Sequence, residues 1–185
     1  MNPRRLRTLR ETLDIHRSDR IDDPSLQDSA VLVALCERAD ALVVPFVLRS
    51  DYRSEHAGEI GLPGGRADDD EPLRRTALRE AEEEIGLPSD AVDVVGRLSD
   101  VATPTGYRIA PYVGHVDEPI EFVRDETEVA SLYLVSPTEL AASREHRQFD
   151  CTARSVVGPA DPAVAVRGTT ADILAEFFDV AGDVL

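Results

Sequence analysis

The spacing of hydrophobic and polar residues changes along the N-terminal part of the chain, and each spacing predicts a different element. Residues 3–15 carry leucines at the intervals of one helical face. A polar stretch at 22–28 predicts a loop. The apolar runs at 30–38 and 41–50 are typical of buried β-strands, and the Ala-Asp pair between them predicts a turn. The chain is therefore expected to begin with a helix followed by two paired strands.

The C-terminal part mixes strands and helices in the same way. The expected elements are strands at 92–99, 107–116 and 129–135, a helix that starts at 136–140 and a final helix at 169–181. Between the two helices, residues 144–168 show no clear period and are expected to be irregular. Thr169 or Thr170 is the expected cap of the final helix, because a side-chain oxygen accepts from the free N–H groups there.

This order of elements predicts an α/β or α+β sandwich, in which helices pack against a sheet. A chain of 185 residues suits one domain and is long enough for a substantial core. No segment has the composition of a linker, so we expect a single domain over 1–185, with a helical extension at 1–29 and a core at 30–185.

The sequence after Gly65 predicts a helix with clear start and stop signals. Three aspartates at 68–70 are expected to cap its first N–H groups and to complement its dipole. Pro72 falls in the first turn, where proline is tolerated, while Gly86 and Pro88 are typical of a helix end.

Composition excludes several classes of protein. The net charge of −16 argues against a nucleic-acid binder, which would carry a basic surface. No apolar run reaches the roughly 18 residues that a membrane span needs, and the charged N-terminus lacks the apolar middle of a secretory signal. Cys36 and Cys151 lie far apart and form no metal-ligand pattern. We therefore expect reduced thiols, a cytoplasmic location, and neither a nucleic-acid nor a membrane partner.

The basic residues add one detail. The sequence contains no lysine, so all 20 basic residues are arginine. Strong acidity without lysine favours a halophilic, salt-adapted source, in which self-repulsion is screened. A GC-rich genome would deplete lysine as well, and the sequence leaves both explanations open.

Carboxylates are concentrated near the end of the central helix. Glu80, Glu83 and Glu84 share one face, and Glu82 points elsewhere. No basic residue follows at helical spacing, and each like-charge pair costs about 0.2–0.5 kcal/mol. A solvated acidic surface is one interpretation. The other is a site for a divalent cation, because Mg²⁺ prefers carboxylates and other hard oxygen ligands.

The same stretch resembles a known family. The segment from Gly65 through Glu71 to Arg79-Glu80-Ala81-Glu82-Glu83-Glu84-Ile85-Gly86-Leu87 resembles the Nudix box at every defined position. Ala81 is a mild departure, since a larger aliphatic residue is usual there. The resemblance implies an α/β/α sandwich with a mixed sheet and a catalytic loop–helix–loop. It also implies hydrolysis of a nucleoside diphosphate linked to another group, with Mg²⁺ or Mn²⁺ as cofactor.

Roles for individual residues follow from the resemblance. Glu80 and Glu84 would be the main metal ligands, and the carbonyl of Gly64 would complete the coordination. Glu83 would be a third ligand or the group that orients or deprotonates water. The catalytic set is completed by a clamp between two residues, Arg79 and Glu71. An ordinary surface ion pair is the alternative for that clamp.

The flanks of the box bear on the substrate. Residues 48–65 resemble the segment before the box in the coenzyme A pyrophosphatase subgroup. The residues expected to bind substrate are Arg49, Arg53, His56 and Gly65. The alternatives are a strand-end salt bridge for Arg49 and a loop-packing hydrogen bond for His56. Two differences from the subgroup stand out, namely a three-residue spacing between Arg53 and His56 and a glutamate at Glu59 in place of glutamine. Further likeness at 103–114 and 167–174 extends the resemblance beyond the box.

Three functions are therefore expected in order. The first is hydrolysis of coenzyme A or its thioesters to 3′,5′-ADP and 4′-phosphopantetheine. The second is hydrolysis of ADP-ribose, a dinucleoside or a nucleoside triphosphate. The third is a non-catalytic Nudix module that senses a ligand. In each case the partner is a small nucleotide, and a homodimer is left open.

Tyr107, Arg108 and Glu128 are further candidates near the site, although packing or surface roles are expected for them.

Overall fold

Strand β1 (Gln27–Arg38) lies at the centre of the fold, and its side chains alternate between two hydrophobic cores. Ala30, Leu32 and Ala34 face one core, whereas Val33 and Leu35 face the other. In the computed structural model, the described residues are 1–38, 41–50, 59–117, 120–159 and 162–185. Because β1 is buried on both faces, an element must cover each side of the sheet.

The sheet around β1 is mixed. The other strands, in chain order, are β2 (Ala41–Arg49), β3 (Ile60–Gly61), β4 (Gly64–Arg66), β5 (Asp93–Arg97), β6 (Val101–Ala102), β7 (Tyr107–Val116), β8 (Val129–Val135), β9 (Arg144–Glu145), β10 (Gln148–Thr152), β11 (Ser155–Val157) and β12 (Ala163–Val166). In the described part of the chain the main path runs β11-β8-β2-β1-β7-β5, with β3, β4 and β6 paired beside β2, β1 and β7. β1 and β7 are parallel, while β1 pairs with β2 and β4 in the antiparallel sense.

Helices cover both faces of this sheet. They are α1 (Pro3–Ile15), α2 (Leu73–Ile85), α3 (Pro137–Ala142) and α4 (Gly168–Ala181). Ala77, Ala81 and Ile85 of α2 belong to one core. Leu9 of α1 and Phe177 of α4 belong to the other. This arrangement confirms the predicted α/β sandwich. No helix within the described ranges is both long enough and apolar enough to span a membrane.

The segment predicted to be irregular is in fact largely β-structure, so that prediction was wrong. β9, β10 and β12 form a separate antiparallel sheet, and β11 extends the main sheet beside β8. Phe149, Val164 and Val166 are buried on one side of the small sheet. These strands have two to five residues each, too few for their alternation to stand out. At the other end of the chain, β1 begins at Gln27, inside the expected loop.

Two predicted helix caps were also wrong. Pro72 occupies the N-cap position of α2, and no side chain caps the helix. Residues 68–70 precede it as a turn in which Asp70 has a φ of 60°. Arg167 is at the N-cap of α4, again without a side-chain hydrogen bond. The predicted end of α2 is confirmed, since Gly86 adopts the left-handed conformation with a φ of 68°. The predicted turn at 39–40 lies outside the described residues.

Candidate active site

Strand β4 brings its glycine backbone against the end of α2. Gly64 and Gly65 pair with Val31 and Ala30 of β1. Gly64 has a φ of 152°, and a Cβ there would overlap the backbone of β1. Only glycine fits such a close approach. As a result, the Gly64 N–H donates to Glu84 Oε2 at 2.9 Å, which joins the loop to the helix.

The neighbouring glycine makes room for a second carboxylate. A Cβ on Gly65 would fall within the carboxylate of Glu80. The side chain of Glu80 therefore lies directly against the loop backbone, in space that another residue would fill. The two glycines thus allow the carboxylates of Glu84 and Glu80 to lie against the same short segment of β4.

The three glutamates of the predicted face have different surroundings. The side chain of Glu84 is 1% exposed, that of Glu80 is 15% exposed, and that of Glu83 is 57% exposed. Burial raises the pKa of Glu84 to about 7, although Arg49 and the Gly64 N–H act in the opposite direction. Burial also raises the pKa of Glu80, and the negative charges of Glu83 and Glu128 add to that effect. The carboxylates therefore range from buried to solvent-facing within two helical turns.

Arg79 is the centre of the hydrogen-bond network beside these carboxylates. Its Nε and Nη2 donate to Glu71 at 3.1 and 2.9 Å, and Nη2 also donates to the carbonyl of Arg66 at 3.1 Å. Its Nη1 donates to Glu80 at 2.7 Å and to Glu83 at 2.9 Å. All five N–H groups of the guanidinium are used. The helix carboxylates are thus tied to the loop through one side chain.

The predicted pair of Arg79 and Glu71 is present and largely enclosed. The side chain of Glu71 is 7% exposed. Hydrogen bonds from Arg79 lower the pKa of Glu71 to about 2, with a smaller contribution from Thr76. Glu71 Oε2 accepts from Thr76 Oγ1 at 2.9 Å. The carboxylate of Glu71 therefore stays ionised and orients Arg79 toward the helix.

Arg49, at the end of β2, contacts the candidate metal ligands themselves. Its Nη1 donates to Glu84 Oε1 at 2.7 Å, and its Nη2 donates to the Gly64 carbonyl at 2.6 Å. Sequence analysis left open a substrate contact or a strand-end ion pair for Arg49; the ion pair is present, with a partner that the sequence did not indicate. No spacing rule signals this partner, because Arg49 and Glu84 are 35 residues apart. No basic residue follows these glutamates at helical spacing, and their basic partners are instead Arg49, from β2, and Arg79, which precedes them on the helix.

The remaining predicted residues differ in what the structure says of them. Arg53 and His56 lie at 51–58, outside the described residues. Arg108 donates to the carbonyl of Ile21 at 2.6 Å and pairs with Asp28 at 2.5 Å, so it fastens the N-terminal segment to β7. Glu128 immediately precedes β8, and its charge acts on Glu80. Glu128 is exposed, which agrees with the surface role expected for it.

Glu82 points away from the site, as expected. It is exposed and accepts hydrogen bonds from the Ser89 N–H and hydroxyl at 3.2 and 2.6 Å. An open groove of about 760 Å³ runs along this outer side of α2, and it reaches the site only at Arg79 and Glu83. The volume of a groove therefore does not by itself identify the candidate active site, because Glu80 and Glu84 do not line this groove.

The donor set is suited to a hard divalent cation. Glu80, Glu84 and the Gly64 carbonyl offer only oxygen, and Mg²⁺ completes such partial sets with water and substrate phosphates. Within the described ranges, no three His, Cys, Asp or Glu side chains converge closely enough to hold a metal by themselves. The candidate donor set therefore depends on a backbone carbonyl in addition to the carboxylates.

Relatives share this part of the chain. The family model for the NUDIX domain matches residues 26–154. The uncharacterized Nudix hydrolase NudL of Yersinia pestis (strain Pestoides F) is 40% identical over 120 residues, which cover 64% of this chain and 60% of the relative. The same protein name in Yersinia pseudotuberculosis (strain YPIII) gives the same values. The matched region thus spans about 60% of the length of these curated relatives.

Solved structures have a similar fold. The Nudix hydrolase RenU of M. smegmatis superposes with a TM-score of 0.62 at 20% identity, covering 86% of this chain and 88% of RenU. A MutT/nudix family protein of Enterococcus faecalis gives 0.58 at 16% identity, covering 99% and 70%. The NUDIX domain of Shewanella oneidensis NrtR, crystallised with ADP ribose, gives 0.54 at 15% identity, covering 97% and 98%. A family match over most of the sequence, together with this fold, shows that the chain belongs to the Nudix hydrolase family.

Proposed function

We propose that the protein hydrolyses the pyrophosphate bond of a nucleoside diphosphate derivative with the help of Mg²⁺ or Mn²⁺. The observation that carries this proposal is the contact of the glycine loop with two glutamates. Gly64 donates to Glu84, and the carboxylate of Glu80 occupies the space beside Gly65. A loop built in this way presents several oxygen donors to one cation.

A bound cation would reduce the electrostatic repulsion between the protein and its substrate. Both the protein, at −16, and a pyrophosphate are anionic. When bound, the cation would offset the charge of the phosphate oxygens and make a nearby water more acidic. Glu80, Glu84 and the Gly64 carbonyl would hold it. Arg79 and Glu71 keep Glu80 oriented, which is the role expected of groups that surround metal ligands.

We assign the transfer of a proton to Glu83, the most exposed of the three glutamates. In the reaction, the oxygen of a water molecule forms a bond to one phosphorus while its proton passes to Glu83. The bond from that phosphorus to the bridging oxygen breaks, and the bridging oxygen leaves with the electron pair. Glu83 then returns the proton to the leaving phosphate or to solvent.

For the substrate, we propose coenzyme A or its thioesters, with 3′,5′-ADP and 4′-phosphopantetheine as products. Support comes from the resemblance at 48–65 to the coenzyme A pyrophosphatase subgroup. Coenzyme A carries a 3′-phosphate that ADP-ribose lacks, so additional basic groups such as Arg53 and His56 would suit it. Both belong to the stretch that directly follows Arg49 and Ser50.

A substrate panel tests the assignment. Purified protein with Mg²⁺ is incubated with coenzyme A, ADP-ribose, a dinucleoside polyphosphate or a nucleoside triphosphate, and products are identified by mass. We expect 3′,5′-ADP and 4′-phosphopantetheine from coenzyme A. Cleavage of another compound in its place would reject the substrate but keep the reaction. Binding without cleavage of any compound would favour the ligand-sensing module.

The proton-transfer role of Glu83 is tested by Glu83→Gln. We expect kcat to fall by about 10²–10⁴-fold, the usual contribution of a general base. Folding should be unaffected because the side chain is 57% exposed. Glu82→Gln is the matched control, since this neighbouring exposed glutamate contacts Ser89 outside the site. Equal turnover in the two variants would remove Glu83 from the mechanism.

A further inference from the structure

The contact of Arg49 with the candidate metal ligands has a consequence for how a cation enters. One oxygen of Glu84, Oε2, accepts from the Gly64 N–H. The other oxygen, Oε1, accepts from Arg49, and so does the Gly64 carbonyl. Two of the oxygen atoms proposed to bind the cation, Glu84 Oε1 and the Gly64 carbonyl oxygen, are therefore both held by the guanidinium.

Steric limits leave the cation few other positions. Glu84 is 1% exposed, so its carboxylate has little room to turn toward a different partner. Gly64 is fixed between β1 and the helix, because even a Cβ would overlap the β1 backbone. A cation that takes Glu84 Oε1 and the Gly64 carbonyl must occupy the space of the Arg49 fork.

We infer that Arg49 and the divalent cation occupy these oxygens in alternation, so that cation binding releases Arg49 toward the substrate phosphates. The inference rests on the proposed metal site. The side chain of Arg49 is 27% exposed, which leaves it a path toward solvent. A released guanidinium is a bidentate donor for phosphate. Cation binding would thus create an anion contact, and anion binding would in turn strengthen cation binding.

Arg79 does not share this property. It belongs to the same site, but its donors are divided among Glu71, Glu80, Glu83 and a backbone carbonyl. Releasing it would break contacts with four groups, including Glu71, which is nearly enclosed. Within the described residues, the Arg49 guanidinium makes two hydrogen bonds, and both of them are to atoms that a cation would bind. The alternation is therefore specific to Arg49.

The test measures Mn²⁺ affinity by calorimetry in substrate-free protein, so that no turnover is needed. Arg49→Gln removes the competing fork, and we expect Mn²⁺ to bind about tenfold tighter or more. Arg49→Lys keeps the charge but replaces the planar fork by one ammonium. It should also bind Mn²⁺ tighter than the wild type, by a smaller factor. Arg74→Gln is the control, since it removes the same charge from the exposed surface of α2.

Thermal melts give a second measurement. The rise in Tm on adding saturating Mn²⁺ should be larger for Arg49→Gln than for the wild type, because the cation then fills a site that Arg49 no longer occupies. Affinity that is unchanged or weaker in Arg49→Gln would overturn the inference. Affinity that is raised in Arg49→Gln but not in Arg49→Lys would overturn it too, since bulk charge would then explain the result.

The experiment also distinguishes failure of the proposed metal site from failure of the inference about Arg49. Glu84→Gln should abolish tight Mn²⁺ binding if Glu84 is a ligand. Wild-type protein that binds no Mn²⁺, or a Glu84→Gln variant that binds it as the wild type does, would overturn both the proposed site and the inference. Loss of binding in Glu84→Gln with no change in the Arg49 variants would overturn the inference alone.

Discussion

Two arginines neutralise the glutamates of α2, and they do so in different ways. Arg79 lies on the helix and bonds to groups no more than 13 positions away in the sequence, using every N–H it has. Arg49 comes from β2, reaches across 35 positions and contacts two oxygens. The first holds the loop and helix together as a permanent part of the fold. Among the described residues, the guanidinium of the second contacts only atoms that a cation can take over.

The difference shows why counting ion pairs says little about their role. Both arginines contact candidate metal ligands, yet in the part of the chain that the structure describes only Arg79 is also held by a carboxylate outside that set, Glu71. Glu71 is 7% exposed and has few other partners within reach. Whether a cation can replace an arginine depends on the number and identity of the groups that the arginine contacts. This property distinguishes a structural contact from an exchangeable one.

The largest effect is expected from removal of Arg79. Arg79→Met leaves Glu71 enclosed without its main partner, and we expect the free energy of unfolding in metal-free protein to fall by about 3 kcal/mol. Arg75→Met is the matched control, because Arg75 is 77% exposed and approaches Glu71 only at 3.7 Å. That control should cost less than about 1 kcal/mol. Urea titration measures both, and similar values would contradict the special role of Arg79.

A somewhat smaller effect with a defined pH dependence is expected for Glu71→Gln. Arg79 lowers the pKa of Glu71 from 4.5 to about 2, so between these values the unfolded state binds a proton that the native state does not. Stability from the ionised carboxylate is complete above about pH 4.5 and is lost as pH falls toward about 2. The variant should be about 2 kcal/mol less stable at neutral pH. Denaturation at several pH values should show the two proteins converging in acid, whereas a pH-independent difference would contradict this account.

Arg49→Met should cost less than either change, about 1–2 kcal/mol in metal-free protein, because Glu84 keeps its hydrogen bond from Gly64. Saturating Mn²⁺ should largely remove this deficit, since a cation takes the place of the guanidinium. The deficit of Arg79→Met should persist under the same conditions. Thermal melts with and without Mn²⁺ make the comparison, and equal recovery of both variants would remove the distinction between the two arginines.

Salt should produce the smallest effect. With a net charge of −16, screening of self-repulsion by about 1 M KCl should raise the free energy of unfolding by roughly 1 kcal/mol or less. The cost of Arg79→Met should change little, because the contact with Glu71 is enclosed and poorly screened. Urea titration in low and high KCl measures both. A wild type whose stability falls with salt would contradict the expectation of a halophilic source.

The parts of the site that are local in sequence could be predicted. The helix end at Gly86 follows from one glycine in the left-handed conformation, and the pair of Arg79 and Glu71 lies within one loop and helix. The helix start was less accessible. The aspartates at 68–70 have the right chemistry for caps, but Pro72 holds the N-cap position and Asp70 turns the chain before it.

What could not be predicted depends on distant partners. Arg49 meets Glu84 only because β2 and β4 lie beside β1, an arrangement set by pairing of the whole sheet. The strands within 144–166 are also tertiary in origin. Gln148–Thr152 is held by pairing with Ala163–Val166 and by burial of Phe149, which short-range periodicity does not show.

The close contact between Gly65 and Glu80 suggests a substitution that would make the protein catalytically inactive. Gly65 is not among the residues with positive φ, so alanine suits its backbone, and the three atoms nearest to the added methyl group would all belong to the carboxylate of Glu80. Gly65→Ala would therefore shift one carboxylate while keeping every charge of the site. A protein altered in this way would suit the capture of an intact nucleotide from a mixture, since it retains the electrostatic character of the native pocket.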